Sequence, residues 1–374
     1  MRLVGAPSPM KILLITTSLQ MGGAELQVLA LGQRMVALGH TVHLAFLTGP
    51  QELAVDPAIT VHDLAMRMRQ PWTLWRGYVR LRRLVQQLQA DVVHSHMVHA
   101  NLLARLVRMR TPMRRLICSA HSTNEGGAWR MLAYRLTDHW ADLSTNVSQE
   151  AVDAFIQAKA VPPGRMRVMH NGIDTQRFAP DPTARAAVRA TLGIAAEQPL
   201  LLNVGRLHPA KNQALLIDAF AELRHHHPNA VLVVAGDGPC QRDLEQAIAA
   251  RQLGASVRLL GRRHDVPALM NACDLFVLSS DVEGFGLVVA EAMACETLVV
   301  ATDCGGVREV LGDPAWLVPV RDRATLARRI AEAIEVRPAV RAALVAHQRE
   351  RVEALFALPT LTRQWLDLYA ASKA

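Results

Sequence analysis

Wholly apolar runs of four to six residues alternate along the chain with longer stretches whose apolar positions recur at helical spacing. Short apolar strands between amphipathic helices are what a parallel sheet covered on both faces requires. In the first half the runs predict strands at 11–16, 41–47, 92–94, 115–120 and 143–147, with a helix over 24–38 opening after Gly22-Gly23. The alternation then starts afresh: a strand at 200–204, a helix over 212–225, and strands at 230–235, 257–260, 275–278 and 298–301. The expected fold is therefore α/β, with two Rossmann-like doubly wound domains in one chain.

Between the two series lie Asn171-Gly172-Ile173-Asp174 and Phe178-Ala179-Pro180-Asp181-Pro182, a turn and proline cluster suited to a hinge. This sets a boundary at 178, with domains over 10–178 and 179–355. The closing stretch 339–369 reads as helices. Its last piece places Leu361, Trp365, Leu368 and Tyr369 on one side, so 356–374 is expected as a terminal helix packing back on the first domain. Residues 1–9 carry two prolines and no pattern; they are expected to be a disordered extension, with Met10 as an alternative start.

Composition narrows the class. Five cysteines without a C-x-x-C pair argue against zinc and disulfides, and no apolar run reaches membrane-spanning length, so a cytoplasmic protein is expected. The 374 residues carry 41 Lys plus Arg against 33 Asp plus Glu, a formal charge of +8. Only Lys11, Lys159, Lys211 and Lys373 are lysines, which codon bias toward arginine explains as readily as a need for guanidinium chemistry. Residues 1–178 hold 20 of the basic and 11 of the acidic residues, so the surplus belongs to the first domain. Within 67–115 there are eleven arginines and one acid, Asp91. Trp72, Trp75 and Tyr78 are interleaved there with Arg76, Arg80, Arg82 and Arg83, while Leu74, Tyr78, Leu81, Leu84, Val85 and Leu88 share one helical face. Such a helix suits an anionic membrane surface, and equally a helix whose apolar face packs on the sheet.

The sharpest motif runs from Asp281 through Glu283-Gly284-Phe285-Gly286-Leu287 to Glu291, directly after a strand. Its glycines admit close backbone approach, and a helix starting near Gly286 would aim free N–H groups at an anion such as a diphosphate. Were the segment helical throughout, Glu283 and Glu291 would lie about 12 Å apart at roughly 1.5 Å per residue. That is wider than the roughly 5 to 9.5 Å of glycosidase carboxylate pairs, so the two would grip opposite ends of an elongated ligand. Gly205-Arg206 with Lys211, after the strand at 200–204, offers a bidentate cation and a mobile point charge to the same kind of ligand. Gly22-Gly23 occupies the first strand-to-helix loop, where a tight turn or a nearby ligand would each call for glycine. His121 follows a strand at the carboxyl end of the first sheet, placed to hydrogen-bond a phosphate or a sugar hydroxyl. Gly236-Asp237-Gly238 is a weak dinucleotide fingerprint, because no third glycine follows.

With these residues in place, the sequence from about Lys11 to Val320 resembles the retaining glycosyltransferases of family 4. The resemblance implies a GT-B fold, in which two Rossmann-like domains face each other across a deep cleft that closes at the hinge. It also implies a nucleotide-diphosphate sugar, such as a UDP- or GDP-sugar, held mainly by the second domain. On the matching positions Glu283 would bind hydroxyls of the donor sugar, and Phe285, Gly286 and Leu287 would offer backbone N–H groups to sugar and diphosphate. Glu291 would bind the ribose, Arg206 and Lys211 beside Gly205 would neutralise the leaving diphosphate, and Gly261 would run beside the base. His121 would lie near sugar and acceptor, and Gly22-Gly23 near the donor phosphates. Arg206, Lys211, Glu283 and His121 are thus the catalytic candidates. The segment 122–127 after His121 has no match in the family pattern.

No metal or other cofactor is expected, since a helix N-terminus and two cations meet the diphosphate and no Asp-x-Asp motif is present. The first domain handles the acceptor in this fold. The basic aromatic patch there favours a lipid-linked saccharide or glycolipid, reached at the inner face of the cell membrane during polysaccharide, lipopolysaccharide or glycolipid synthesis. A GT-B sugar-nucleotide epimerase and a nucleic-acid-binding protein are the alternatives. No second carboxylate cluster supports the first, and no reading module supports the second.

Overall fold

A computed structural model of the chain describes residues 8–67 and 69–371; most of the extension expected over 1–9, residues 1–7, lies outside them. Among the described residues thirteen strands form two sheets, every strand pair within them parallel. The chain divides into two compact units, one of Met1–Gly172 with Leu358–Ala374 and one of Ile173–Ala357.

The first unit's sheet runs β3-β2-β1-β4-β5-β6-β7. Its strands are β1 (Lys11–Thr16), β2 (Thr41–Phe46), β3 (Thr60–Asp63), β4 (Val92–His96), β5 (Leu116–Ser119), β6 (Leu143–Asn146) and β7 (Met166–Val168). Alternation along β1 sends Leu13 and Ile15 into one apolar layer, with Leu81, Leu84, Val85 and Leu103, and Ile12 and Leu14 into the other. The second layer includes Trp365, Leu366 and Tyr369 from the terminal helix Leu358–Ala370, which belongs to this unit. Burying side chains of that size is worth about 2 to 3 kcal/mol each. The sequence pattern missed β3 and β7. Both are edge strands of the sheet, and their partly exposed positions never make a continuous apolar run.

The second sheet runs β10-β9-β8-β11-β12-β13. Its strands are β8 (Leu200–Val204), β9 (Val231–Ala235), β10 (Val257–Leu259), β11 (Leu275–Leu278), β12 (Leu298–Thr302) and β13 (Leu317–Val318). The helix Leu287–Ala294 is apolar nearly all round and has five buried residues, as befits a helix enclosed by its neighbours. In both sheets the chain reverses winding direction beside the first strand, between β1 and β4 and between β8 and β11. A crevice opens at such a switch point, beyond the carboxyl ends of the strands.

Two readings of the sequence are corrected. The division falls at Gly172/Ile173, before the proline cluster and not at 178, because Ile173 pairs with the returning chain: its N–H donates to the Phe356 carbonyl at 2.7 Å, beside an Ile173–Ala357 bridge. The helix Pro71–Leu88 does not offer its apolar stripe to a membrane. Leu81, Leu84 and Val85 are buried against the sheet, and Leu74, Tyr78 and Leu88 pack beside them. Trp72 and Trp75 lie off that stripe and are exposed.

Candidate functional site

The loops beyond β8 and β11 carry the charged groups that the motifs promise. Lys211 ends a short 3-10 turn, Pro209–Lys211, after which Asn212 at φ 45° caps the helix Gln213–Leu223. Lys211 Nζ donates to Glu283 Oε1 at 2.6 Å, and Ser280 Oγ donates to the same oxygen at 2.7 Å. The lysine side chain is 29% exposed and the glutamate 10%, so the pair stands at a wall with its cation accessible. Arg206 is exposed, and its guanidinium has no partner among the described residues. Gly205 lies beside the lysine stem, and a Cβ there would make only an ordinary contact with it, at 3.9 Å.

Backbone contacts lace the two loops together. The Asp281 N–H donates to the Ala210 carbonyl at 2.8 Å, Asn212 Nδ2 donates to Asp281 Oδ1 at 2.9 Å, and Arg321 pairs with Asp281 at 2.8 Å. The chain then enters the helix Leu287–Ala294 through Gly286, whose φ of 91° only glycine adopts readily. No side chain caps this helix, and the N–H groups of Leu287 and Val288 have no acceptor among the described residues. An anion placed there would meet unsatisfied donors and the positive end of the helix dipole. Phe285 contributes backbone only, because its ring is buried edge-on against Phe356. The 12 Å helical estimate between Glu283 and Glu291 does not apply, since Glu283 precedes the helix and only Glu291 lies in it. Burial raises the Glu291 carboxyl to about 7, with Arg177 pulling it back down.

Several glycines set this geometry. A Cβ on Gly305, at φ 56°, would fall 1.8 Å from the Glu283 carbonyl, and the Gly306 N–H donates to the Gly284 carbonyl at 3.2 Å. The turn after β12 therefore backs the Glu283 loop. Sequence reasoning passed over it, although a Gly-Gly pair following a strand was the available signal. The Gly236-Asp237-Gly238 pattern serves packing: Cβ atoms there would fall 1.9 Å from the Gly205 carbonyl and 2.3 Å from that of Leu207. Gly261, at φ 65°, accepts from the Gly236 N–H at 2.8 Å and leaves open space where a side chain would project.

The crevice of the first unit holds rings instead of ions. His94 and His96 alternate on β4 with ring centroids 3.9 Å apart, and His96 Nδ1 lies 3.1 Å from His121 Nε2. Burial lowers His121 to about 4 and His94 to about 3, and drives His96 well down, so all three are neutral at pH 7. One shared proton bridges His96 and His121, leaving one of the outer nitrogens a donor and the other an acceptor. Those nitrogens, His96 Nε2 and His121 Nδ1, are buried without partners among the described residues. Both rings line a pocket with Gln27, Ser119, Thr145 and Trp365. Gln27 clasps Gly172 through two 2.8 Å hydrogen bonds, and a Cβ on Gly172 would fall 2.7 Å from Leu358.

At the β1 loop, Gly22 caps the helix Gly23–Ala37 without a side chain, and a Cβ there would fall 2.3 Å from Glu25 Oε2, whose carboxylate accepts from Ser18 at 2.8 Å. The unmatched segment after His121 proves to be built around Glu125. This buried carboxylate accepts from the His121 N–H at 3.0 Å and from Tyr134 Oη at 2.7 Å, while Asn124 accepts from the Gly126 and Gly127 N–H groups.

The family models for glycosyltransferase family 4 and for glycosyl transferases group 1 match residues 21–177 and 184–351. A GDP-mannose-dependent alpha-(1-6)-phosphatidylinositol monomannoside mannosyltransferase of Mycolicibacterium smegmatis is 32% identical over 63% of the chain and 64% of its own length, so the match spans somewhat under two thirds of that relative. The putative glycosyltransferase EpsD of Bacillus subtilis is 31% identical over 68% of the chain and 70% of its own length. Among solved structures, Anabaena HepE in complex with UDP-glucose superposes with a TM-score of 0.81 at 25% identity, covering 96% of this chain and 99% of that one. Two parallel-sheet units, a helix N-terminus backed by the Lys211–Glu283 pair, and family models over both halves agree: the chain belongs to glycosyltransferase family 4.

Proposed function

We propose that the chain is a retaining glycosyltransferase that takes a sugar from a nucleotide-diphosphate sugar and passes it to a lipid-linked saccharide or glycolipid. The observation that carries this reading is the Lys211–Glu283 pair beside the uncapped helix Leu287–Ala294. It sets a cation and two free N–H groups where a diphosphate needs them, with a carboxylate that sugar hydroxyls can address. Glu291 takes the ribose hydroxyls, and Arg206 joins Lys211 on the leaving phosphate. In the chemical step the acceptor hydroxyl oxygen bonds to the anomeric carbon on the face from which the diphosphate leaves. The carbon–oxygen bond to phosphate breaks, and the departing phosphate oxygen takes the hydroxyl proton. The anomeric configuration is thereby kept, and the two cations carry the developing charge. This reading asks for no metal ion.

The names of relatives support the proposed acceptor class. One similar protein is named for phosphatidylinositol monomannoside, and another, from Campylobacter jejuni, for an undecaprenol-linked saccharide. Thermal shift with a panel of UDP-, GDP- and ADP-sugars tests the donor half, because a bound donor raises the melting temperature with the logarithm of its concentration over its Kd. Stabilisation by one nucleotide-sugar series is expected, and a melting temperature unmoved by all three at saturating concentration would refute the reading. NMR of the first-formed product then reads the anomeric configuration.

A further inference from the structure

Outside both crevices, large apolar side chains stand uncovered on one side of the first unit. The helices Pro71–Leu88, Val98–Arg108 and Ala128–Thr137 are the successive crossovers into β4, β5 and β6, and the middle one packs against both others. Right-handed crossovers in that direction put all three on one face of the sheet. Trp72 and Trp75 are 60% and 64% exposed, Leu106 and Met109 44% and 52%, and Trp129, Leu132 and Leu136 63%, 53% and 63%. The last three recur at steps of three and four, a stripe along the solvent side of a helix whose inner side is Met131 and Tyr134. Sequence alone pointed to the first helix; the longest exposed stripe lies on the third.

The charge around it has one sign. Between Val92 and Thr137 the only acid is Glu125, which is buried and already hydrogen-bonded. The helix Pro71–Leu88 has no acid at all. Arg76, Arg80, Arg83, Arg110 and Arg135 are exposed, and no carboxylate among the described residues accepts from any of them. Arg130 lies over the Trp129 ring at 5.2 Å.

We propose that this three-helix face docks on an anionic bilayer, with Trp129, Leu132 and Leu136 entering the boundary between headgroups and acyl chains and the arginines meeting lipid phosphates. A bilayer fits because the apolar residues are spread over separate helices, which a fluid boundary accommodates and a single protein segment would not. Tryptophan favours that boundary, and unpaired arginines favour anionic headgroups. A nucleic acid would gain nothing from Leu132 and Leu136. Among the described residues no helix is long and apolar enough to cross a membrane, so this docking would be peripheral.

Flotation of the full chain with vesicles of phosphatidylcholine, alone or with phosphatidylglycerol, tests the face without donor or acceptor, and so independently of the transferase reading. The chain is expected to float with the anionic vesicles and to be released by salt. Combining Trp129→Ser, Leu132→Ser and Leu136→Ser should abolish flotation, while Arg110→Gln and Arg135→Gln should each lower the partition about fivefold. Brominated acyl chains should quench fluorescence of the unaltered chain more than that of Trp129→Phe, a comparison that needs no disruptive variant. The inference is overturned if the chain stays unbound, if the triple variant floats as well as the parent, or if quenching is the same with and without Trp129. It is equally overturned if sedimentation shows a parent dimer and a monomeric triple variant, which would make the face an interface between copies.

Discussion

The crevice beyond β8 and β11 is made of ions and free N–H groups; the crevice beyond β4 and β5 is made of neutral rings. Each lies at the carboxyl end of its sheet beside the strand where the winding reverses, so the backbone treats them alike. The difference comes from what the loops carry. In the second unit Lys211 and Glu283 meet at 2.6 Å with Arg206 exposed nearby, while in the first His96 and His121 share a hydrogen bond and are kept neutral by burial. The first unit nonetheless owns the whole positive surplus of the chain. Its exposed arginines Arg76, Arg83 and Arg135 lie on helices and Arg110 in the turn after one, and none of the four lines the pocket of His96 and His121. Net charge thus says little about site charge, and the same winding around a first strand supports one crevice lined by ions and another lined by neutral hydrogen-bonding rings.

The comparison breaks most readily at Lys211. Lys211→Ala removes the cation proposed to meet the leaving group, and a loss of about 10² to 10³ in turnover is expected, with donor affinity changing far less. His121→Ala removes one neutral hydrogen-bonding group and should cost about tenfold. Steady-state kinetics with donor titrations separate the two. Equal losses would mean that the rings carry charge in the reaction, and near-normal turnover in Lys211→Ala would remove its role.

The asymmetry also explains what sequence alone could reach. β1, β8 and β11 were predicted with the bounds observed, because central parallel strands are continuous apolar runs. Lys211, Glu283 and Gly286 were legible because each lies in a short motif, directly after an apolar strand, that joins charge and glycine within a few residues. Gly305 was not: its meaning is a backbone approach to Glu283 from another loop, which no local pattern records. The apolar stripe Leu74 to Leu88 was seen correctly but the choice between membrane and sheet as its partner was left open, since periodicity marks a face and not what covers it. Glu125 was hidden for the same reason, lying in a polar loop whose order depends on Tyr134 and Asn101 from two helices.

Glu125 gives the next test, and it concerns the neutral crevice. Glu125→Ala leaves the Tyr134 hydroxyl and the His121 N–H without their acceptor in a buried place. The expected cost is about 1 to 3 kcal/mol, seen as a fall of about 3 °C or more in the melting temperature, and Glu125→Gln should cost less because it keeps one acceptor oxygen. Donor binding should be unchanged in both. Weakened donor affinity in Glu125→Gln would show that the loop after His121 serves the charged crevice as well.

The smallest effect is a dependence on pH at Glu291, where the charged crevice is itself close to neutral. Burial raises this carboxyl to about 7 from 4.5, so in the free protein it passes from mostly protonated to mostly ionised between about pH 6 and 8. A group whose folded pKa is raised stabilises the fold fully below its unfolded value, and that contribution is lost as pH rises through about 7. The ligand-free melting temperature should therefore fall over this range, and fall less in Glu291→Gln. Binding runs the other way. Ribose hydroxyls donate best to the ionised carboxylate, so affinity for a nucleotide-sugar, whose diphosphate diester takes up no proton here, should tighten up to about tenfold from pH 6 to 8 with proton release. Calorimetry in two buffers of different ionisation enthalpy measures both quantities. A flat profile in the unaltered chain, or the same slope in Glu291→Gln, would place the ribose elsewhere and leave Glu291 as a carboxyl raised by burial alone.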